Sequence, residues 1–123
     1  MKDETRENHR TDALSENMDA IITAPAQHKV IFENERLRII EFKVKPGESV
    51  PLHTHRWRSF NYVLKLSDFV SYDARGNLKL DSRTGKTEIK EGSVFELPPF
   101  PPPHAVENIG GAELHAISVE LKD

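Results

Sequence analysis

The segment PGESVPLHTHRWRSFNYVL, residues 46–64, carries two histidines one residue apart, His53 and His55. On a β-strand, side chains two positions apart point to the same face, with their Cα atoms about 6–7 Å apart. Two imidazoles placed in this way can bind one metal ion, because Zn–N bonds of about 2.0–2.1 Å are reachable from that spacing. The alternative is a pair of polar side chains that share a strand by chance. The choice between them depends on whether the rest of the chain supplies more ligands.

The composition restricts the class of protein. A chain of 123 residues with 37% hydrophobic and 30% charged residues suits one globular domain. The net charge of -3 gives no attraction for nucleic acid, and the lack of cysteine excludes disulfides and thiolate metal sites. Residues 1–20 are rich in acids and have no apolar signal region, and no apolar run approaches about 18 residues. We therefore expect a cytoplasmic protein with no nucleic acid or membrane partner.

The chain divides into an N-terminal extension, residues 1–27, and a β domain, residues 28–123. Within the extension, a helical stripe is formed by Leu14, Met18, Ile21 and Ile22, with Thr11 or Asp12 as possible caps. The stripe predicts a short helix over residues 12–22 that needs a docking surface, since so short a helix is unstable alone. A disordered tail is the alternative.

From residue 28 onwards, short segments rich in β-branched and aromatic residues alternate with turn signals. They include KVIFE, LRIIEFKVK, SFNYVLKL, DFVSYD and ISVELK, and glycine, asparagine or aspartate separates them about every 8–12 residues. Helical periodicity is absent from this part of the sequence. The pattern predicts an all-β fold, an antiparallel sandwich or barrel.

A second histidine segment, GSVFELPPFPPPHAVEN, covers residues 92–108 and places His104 on another predicted strand. With the first segment it resembles the cupin family, whose two motifs each begin with a glycine and supply metal-binding histidines. The matching residues are Gly47, His53, His55, Gly92, Pro98, His104 and Asn108. The resemblance extends over roughly residues 28–121. It implies a single small jelly-roll-like barrel in which His53, His55 and His104 hold a divalent ion. The resemblance leaves the identity of this ion open among Fe, Ni, Zn, Cu and Mn.

The sequence departs from the family pattern at three positions. Ser59 stands where the first motif has a metal-binding glutamate, Leu66 replaces that motif's last glycine, and Phe100 replaces the glycine of the second motif. A three-histidine set leaves more coordination positions open for water or substrate. We expect a Ser59→Glu change to tighten metal binding, and metal affinity to fall below about pH 6, because free histidine titrates near about 6.5.

Six residues near the histidines are candidates for a substrate pocket: Arg56, Trp57, Arg58, Ser59, Asn61 and Phe100. The two arginines can bind a carboxylate or phosphate, and Trp57 can form a pocket wall. An exposed tryptophan at a dimer contact is the alternative. Strand alternation places Ser59 and Asn61 on one inward face, where neutral polar side chains need partners. The five prolines of residues 98–103 predict a stiff loop before His104.

The remaining histidines and nearby carboxylates give weaker signals. Glu96 and Glu107 are possible replacements for the missing glutamate, although strand alternation turns Glu107 away from His104. His115 is interpreted as a core or sheet-face residue. His9 and His28 precede the predicted barrel, and the sequence assigns neither of them a partner.

The favoured function is a metal-binding cupin that binds or acts on a small polar organic molecule, with a metal-dependent oxygenase as one form. The alternative is a non-catalytic binding or structural barrel without a functional metal. No general base is visible in the first motif, which favours binding or metal-centred chemistry over acid–base catalysis. A homodimer is expected, because an open sheet edge needs cover.

Overall fold

The computed structural model describes residues 18–85 and 89–122 of the chain. This part forms one helix and nine strands. They are α1 (Ala20–Thr23), β1 (His28–Glu33), β2 (Leu37–Val44), β3 (Ser49–His55), β4 (Ser59–Lys65), β5 (Phe69–Asp73), β6 (Leu78–Asp81), β7 (Val94–Leu97), β8 (Phe100–Asn108) and β9 (Leu114–Leu121). The predicted all-β class is confirmed. No helix in this part of the chain is long and apolar enough to cross a membrane.

The strands form two sheets that enclose a common interior. One sheet has the order β1-β2-β9-β4-β7 and the other β3-β8-β5-β6, and the paired strands are antiparallel. A small core joins the sheets at one end, where Val44 and Leu114 of the first sheet pack with Val50 of the second and with Ala24. The interior beyond this core is open enough to hold the site described below.

The first glycine of each sequence motif lies in a turn, one after β2 and the other before β7. Gly47 and Gly92 have φ angles of 80° and 76°, a backbone region that side chains with a Cβ rarely adopt. Asn108, at the end of the second motif, is fully buried and binds backbone on both sides. Its Nδ2 donates to the carbonyls of Val44 (2.9 Å) and Ala112 (2.8 Å). The motif asparagine therefore joins β8 to neighbouring turns.

The proline-rich segment was predicted to be a loop. In the structure most of it belongs to β8, which already begins at Phe100. Residues 100–103 lie beside β3, where His55 is the partner of Phe100, whereas β5 pairs only with residues 104–108. Proline cannot donate to a sheet ladder, so it is tolerated where one side of a strand has no neighbour. The prolines thus occupy the end of β8 that has no partner in β5.

Residues 18–24, part of the predicted extension, pack against the barrel. The amide of Thr54 donates to the carbonyl of Met18 at 2.7 Å, and Asp19 caps α1 by accepting from the amide of Ile21. The predicted stripe is wrong at Ile22, which is 60% exposed, while Ala20 is buried. Because α1 begins only after Asp19, its single turn presents Ala20 to the barrel. Leu14, Thr11 and Asp12 lie outside the described residues.

Candidate metal centre

Strand pairing brings the three predicted ligands together. His53 on β3 and His104 on β8 are direct cross-strand partners, and His55 follows two residues later on the same face. The ring centroids are 4.4 Å apart for His53 and His104, 4.9 Å for His53 and His55, and 5.2 Å for His55 and His104. One ligand nitrogen from each ring lies within 4.8 Å of the other two. The sequence thus predicted a cluster that the fold assembles.

The donor chemistry of the cluster fits a divalent ion. Nδ1 of His53 lies 2.7 Å from the carbonyl oxygen of Pro51, which can only accept, so Nδ1 carries the hydrogen. Its Nε2 then presents a lone pair, and this backbone anchoring is typical of metal-binding histidines. Bonds of about 2.0–2.1 Å place neighbouring ligand nitrogens about 3 Å apart. Metal binding would therefore have to draw the nitrogens, now within 4.8 Å of one another, closer together.

Burial keeps these imidazoles neutral. Desolvation lowers the pKa of His53, lowers that of His104 to about 4, and places that of His55 well below its usual range. Repulsion from His53, were it charged, lowers the pKa of His55 and His104 further. A cation needs an unprotonated nitrogen, so the cluster is ready to bind metal at neutral pH.

A fourth histidine, His28, lies beside the cluster and was missed by the sequence prediction. It is the first residue of β1 and is only 6% exposed. Its ring centroid is 5.1 Å from that of His53 and 6.1 Å from that of His55. His28 belongs to the opposite sheet from the other three histidines. No spacing rule links it to them, and its position directly before the predicted strand KVIFE was the only available signal.

The histidines border a cavity of about 510 Å³ between the two sheets. Its wall also contains Asn61, as predicted, together with Asp73 and Glu120. Apolar side chains predominate: Ile40, Phe42, Val63, Leu66, Phe69, Leu80, Phe95, Leu97, Val106 and Leu114. A cavity of this size and lining is typical of small-molecule sites, which are mostly apolar with a few polar groups.

The other pocket candidates are not part of the described lining of this cavity. Ser59 is buried and accepts a hydrogen bond from Nδ2 of Asn61 at 3.0 Å. Arg56 and Arg58 are exposed, and the guanidinium of Arg56 lies 4.5 Å from the centroid of Trp57. For Phe100, only the backbone is described, which pairs with His55. Of the six candidates, Asn61 is the one that the structure places in the cavity wall.

Neither carboxylate proposed as a substitute for the missing glutamate lies in the described cavity wall. Glu96 is half-exposed and lies 3.7 Å from Arg58, and Glu107 is half-buried on β8. The structure instead buries Glu120, which the sequence prediction missed. Glu120 is the Cα partner of Ser59 across β4 and β9, so it lies next to the position where the family pattern has a glutamate.

Glu120 belongs to a buried ionic network. The Nε of Arg38 donates to its Oε1 at 2.5 Å, and Nη2 of Arg38 donates to both carboxylate oxygens of Asp19, at 2.9 and 3.1 Å. Desolvation raises the pKa of Glu120, and the bond to Arg38 opposes that shift. The guanidinium of Arg38 also lies 4.9 Å from the ring centroid of Trp57. The network ties the residues before α1 to the five-stranded sheet.

Solved structures share this arrangement of strands over most of its length. A cupin domain from Bordetella pertussis matches with a TM-score of 0.63 and 19% identity, over 78% of this chain and 92% of the other. The chain has the cupin fold. An RmlC-like cupin with a double-stranded β-helix fold from Methanocaldococcus jannaschii matches at TM-score 0.54 and 16% identity, over 76% and 77% of the two chains.

A third cupin-fold match has a named activity. The polyketide cyclase RemF from Streptomyces resistomycificus matches at TM-score 0.52 and 21% identity, over 78% of this chain and 64% of RemF. No protein-family model matches the sequence, and the search of curated proteins found no match. At these identities the cupin fold is shared, and function must be argued from the site itself.

Proposed function

We propose that this protein is a metal-dependent cupin that binds a small organic molecule beside a divalent ion held by His53, His55 and His104. The observation that carries this proposal is the geometry of the three imidazoles. Their ligand nitrogens lie within 4.8 Å of one another at the wall of a cavity of about 510 Å³. Neutral imidazole suits iron, nickel, copper and zinc.

The site favours chemistry at an ion with open coordination positions. Three nitrogen ligands leave room on the ion for a substrate atom or water, and such an ion supplies Lewis-acid or redox chemistry. Asn61, bonded through Nδ2 to Ser59, has its carbonyl oxygen available to orient a ligand group. The arginines of the exposed connection between β3 and β4 do not contribute to the described wall.

The lining changes the expected ligand class. The sequence suggested a small polar molecule, whereas apolar side chains such as Phe42, Phe69 and Phe95 form most of the wall. Burying a polar ligand against them would leave its hydrogen-bonding groups unsatisfied. We propose a ligand with an apolar, ring-sized body and one polar group directed towards the histidines. The polyketide cyclase among the structural matches shows only that this fold can host an enzyme.

The second candidate function is ligand binding by a barrel that holds no metal ion and catalyses no reaction. The apolar wall supports it, because a cavity of this kind can hold a ligand with no ion present. In that case the histidines would be polar wall residues, and ligand affinity would not depend on added metal.

Metal titration tests the first candidate directly. Metal-free protein is titrated with Ni²⁺ and Zn²⁺ by calorimetry, alongside His53→Ala and His104→Ala. We expect one ion per chain in the native protein and a loss of affinity of about 100-fold or more in each variant, since even outer-shell changes cost about 10–100-fold. His115→Ala is the control, because His115 lines the same cavity but does not belong to the three-histidine cluster, and its Nε2 is bonded to Glu41 at 2.9 Å. Equal binding by all four proteins would contradict the proposal.

A further inference from the structure

We propose that His28 supplies a fourth nitrogen to the metal centre, a role that rests on the function proposed above. The first support is position. Its ring centroid lies 5.1 Å from that of His53, close to the 4.4–5.2 Å separations among the three clustered rings. It lies 6.1 Å from the ring centroid of His55, and all four histidines line the same cavity.

The second support is the way in which the ring is held. Nδ1 of His28 lies 3.0 Å from the carbonyl oxygen of Ala24, so it carries the hydrogen and donates. His53 is anchored in the same manner to the carbonyl of Pro51. Metal-binding histidines usually donate their second ring nitrogen to a carbonyl or carboxylate, which fixes the tautomer and the ring orientation. Both histidines are therefore prepared to offer Nε2.

The third support is the unused lone pair. With Nδ1 donating, Nε2 of His28 is an acceptor, and no hydrogen bond to it is formed within residues 18–85 and 89–122. The residue is only 6% exposed, and its ring lines the cavity together with those of the three clustered histidines. A bound ion would use that lone pair.

The packing alternative is a histidine that only fills space beside Phe42, whose ring centroid is 4.9 Å away. That role needs the ring and the bond to Ala24, and it does not need Nε2. The two roles are separable by substitution. His28→Phe keeps an aromatic ring beside Phe42 and removes both nitrogens, whereas His28→Asn removes the ring with its second nitrogen and keeps a donor for the Ala24 carbonyl.

The experiment compares Ni²⁺ affinity by calorimetry and the visible spectrum of the Co²⁺-loaded protein in the native chain, His28→Asn and His28→Phe. We expect both variants to bind Ni²⁺ at least about tenfold more weakly, by analogy with outer-shell losses of about 10–100-fold. The Co²⁺ absorption should change in position and intensity, because it reports the ligands on the ion. His115→Asn is the matched control and should leave both readings unchanged.

The outcomes separate this inference from the function on which it rests. If His53→Ala abolishes Ni²⁺ binding while His28→Asn and His28→Phe retain native affinity and spectrum, the assignment of His28 is overturned and the three-histidine centre stands. If His53→Ala also binds as the native protein does, both are overturned. Circular dichroism verifies folding, and should one variant fail to fold, the other decides.

Discussion

His53 and His104 are direct partners across β3 and β8, and their ring centroids are 4.4 Å apart. The two residues are 51 positions apart in the sequence, and the register of this one strand pair puts their rings in contact. The contact couples the charge states of the rings, since the pKa of His104 is lowered first by burial and then by repulsion from His53. The metal affinity of the protein and the change of its stability with pH therefore both depend on His53 and His104.

Stability of the metal-free protein should fall in mildly acidic solution. The pKa values of His28 and His104 drop from 6.5 to about 4 on folding. Below pH 6.5 the unfolded chain takes up protons that the folded chain excludes, so stability present above pH 6.5 is lost as the pH falls towards 4. The loss is about 3 kcal/mol at most for each ring. Urea unfolding at several pH values measures it.

His104→Gln provides the control for this pH response, because it removes one titrating ring and keeps a polar side chain. Its stability should change less between pH 6.5 and pH 4 than that of the native protein, and an equal change would contradict the prediction. The lowered pKa values also mean that metal affinity should persist further below pH 6 than free histidine would suggest.

Replacing Arg38 with methionine should destabilise the protein by about 3–5 kcal/mol. Asp19 and Glu120 would then be buried carboxylates without their cation, at side-chain exposures of 3% and 1%. Urea unfolding measures the change. Arg83→Met removes a surface pair with Asp81 and should cost far less. Equal effects of the two substitutions would show that the buried network contributes little.

Ser59→Glu should lower stability and leave metal affinity without gain, the reverse of the expectation from the sequence. Ser59 is buried opposite Glu120, so the new carboxylate would be desolvated next to an existing one. We expect a loss of about 2–4 kcal/mol. Ser59→Gln, of similar size and uncharged, should cost less. Tighter Ni²⁺ binding by Ser59→Glu in calorimetry would show that position 59 reaches the ion.

The expected homodimer can be tested at the outer face of β4 and β7. Tyr62 and Val94 are cross-strand partners there, and they are 43% and 58% exposed. Exposed apolar clusters of this kind often mark association sites. Tyr62→Lys should shift the protein towards monomer in sedimentation equilibrium. Leu78→Lys changes a 56% exposed site on the other sheet and should not shift it, and a native protein that is monomeric throughout would contradict the expectation.

The sequence by itself determined the features that depend on neighbouring residues. Alternation along a strand placed His53 and His55 on one face, and it turned Ser59 and Asn61 inward. The glycines of the two motifs marked turns, where positive φ angles require glycine. The spacing of strands and turns gave the all-β class. Each of these features depends on the residue itself and on its close neighbours in the sequence.

The tertiary structure decided which distant residues meet. His28 joins the histidine cluster from the opposite sheet, and Glu120 lies beside Ser59 because β9 pairs with β4 in one register. The prolines of β8 fit a strand because β5 ends beside His104. A shift of one residue in any of these pairings would turn each side chain to the other face. Register depends on the packing of the whole barrel, so local sequence could not supply these contacts.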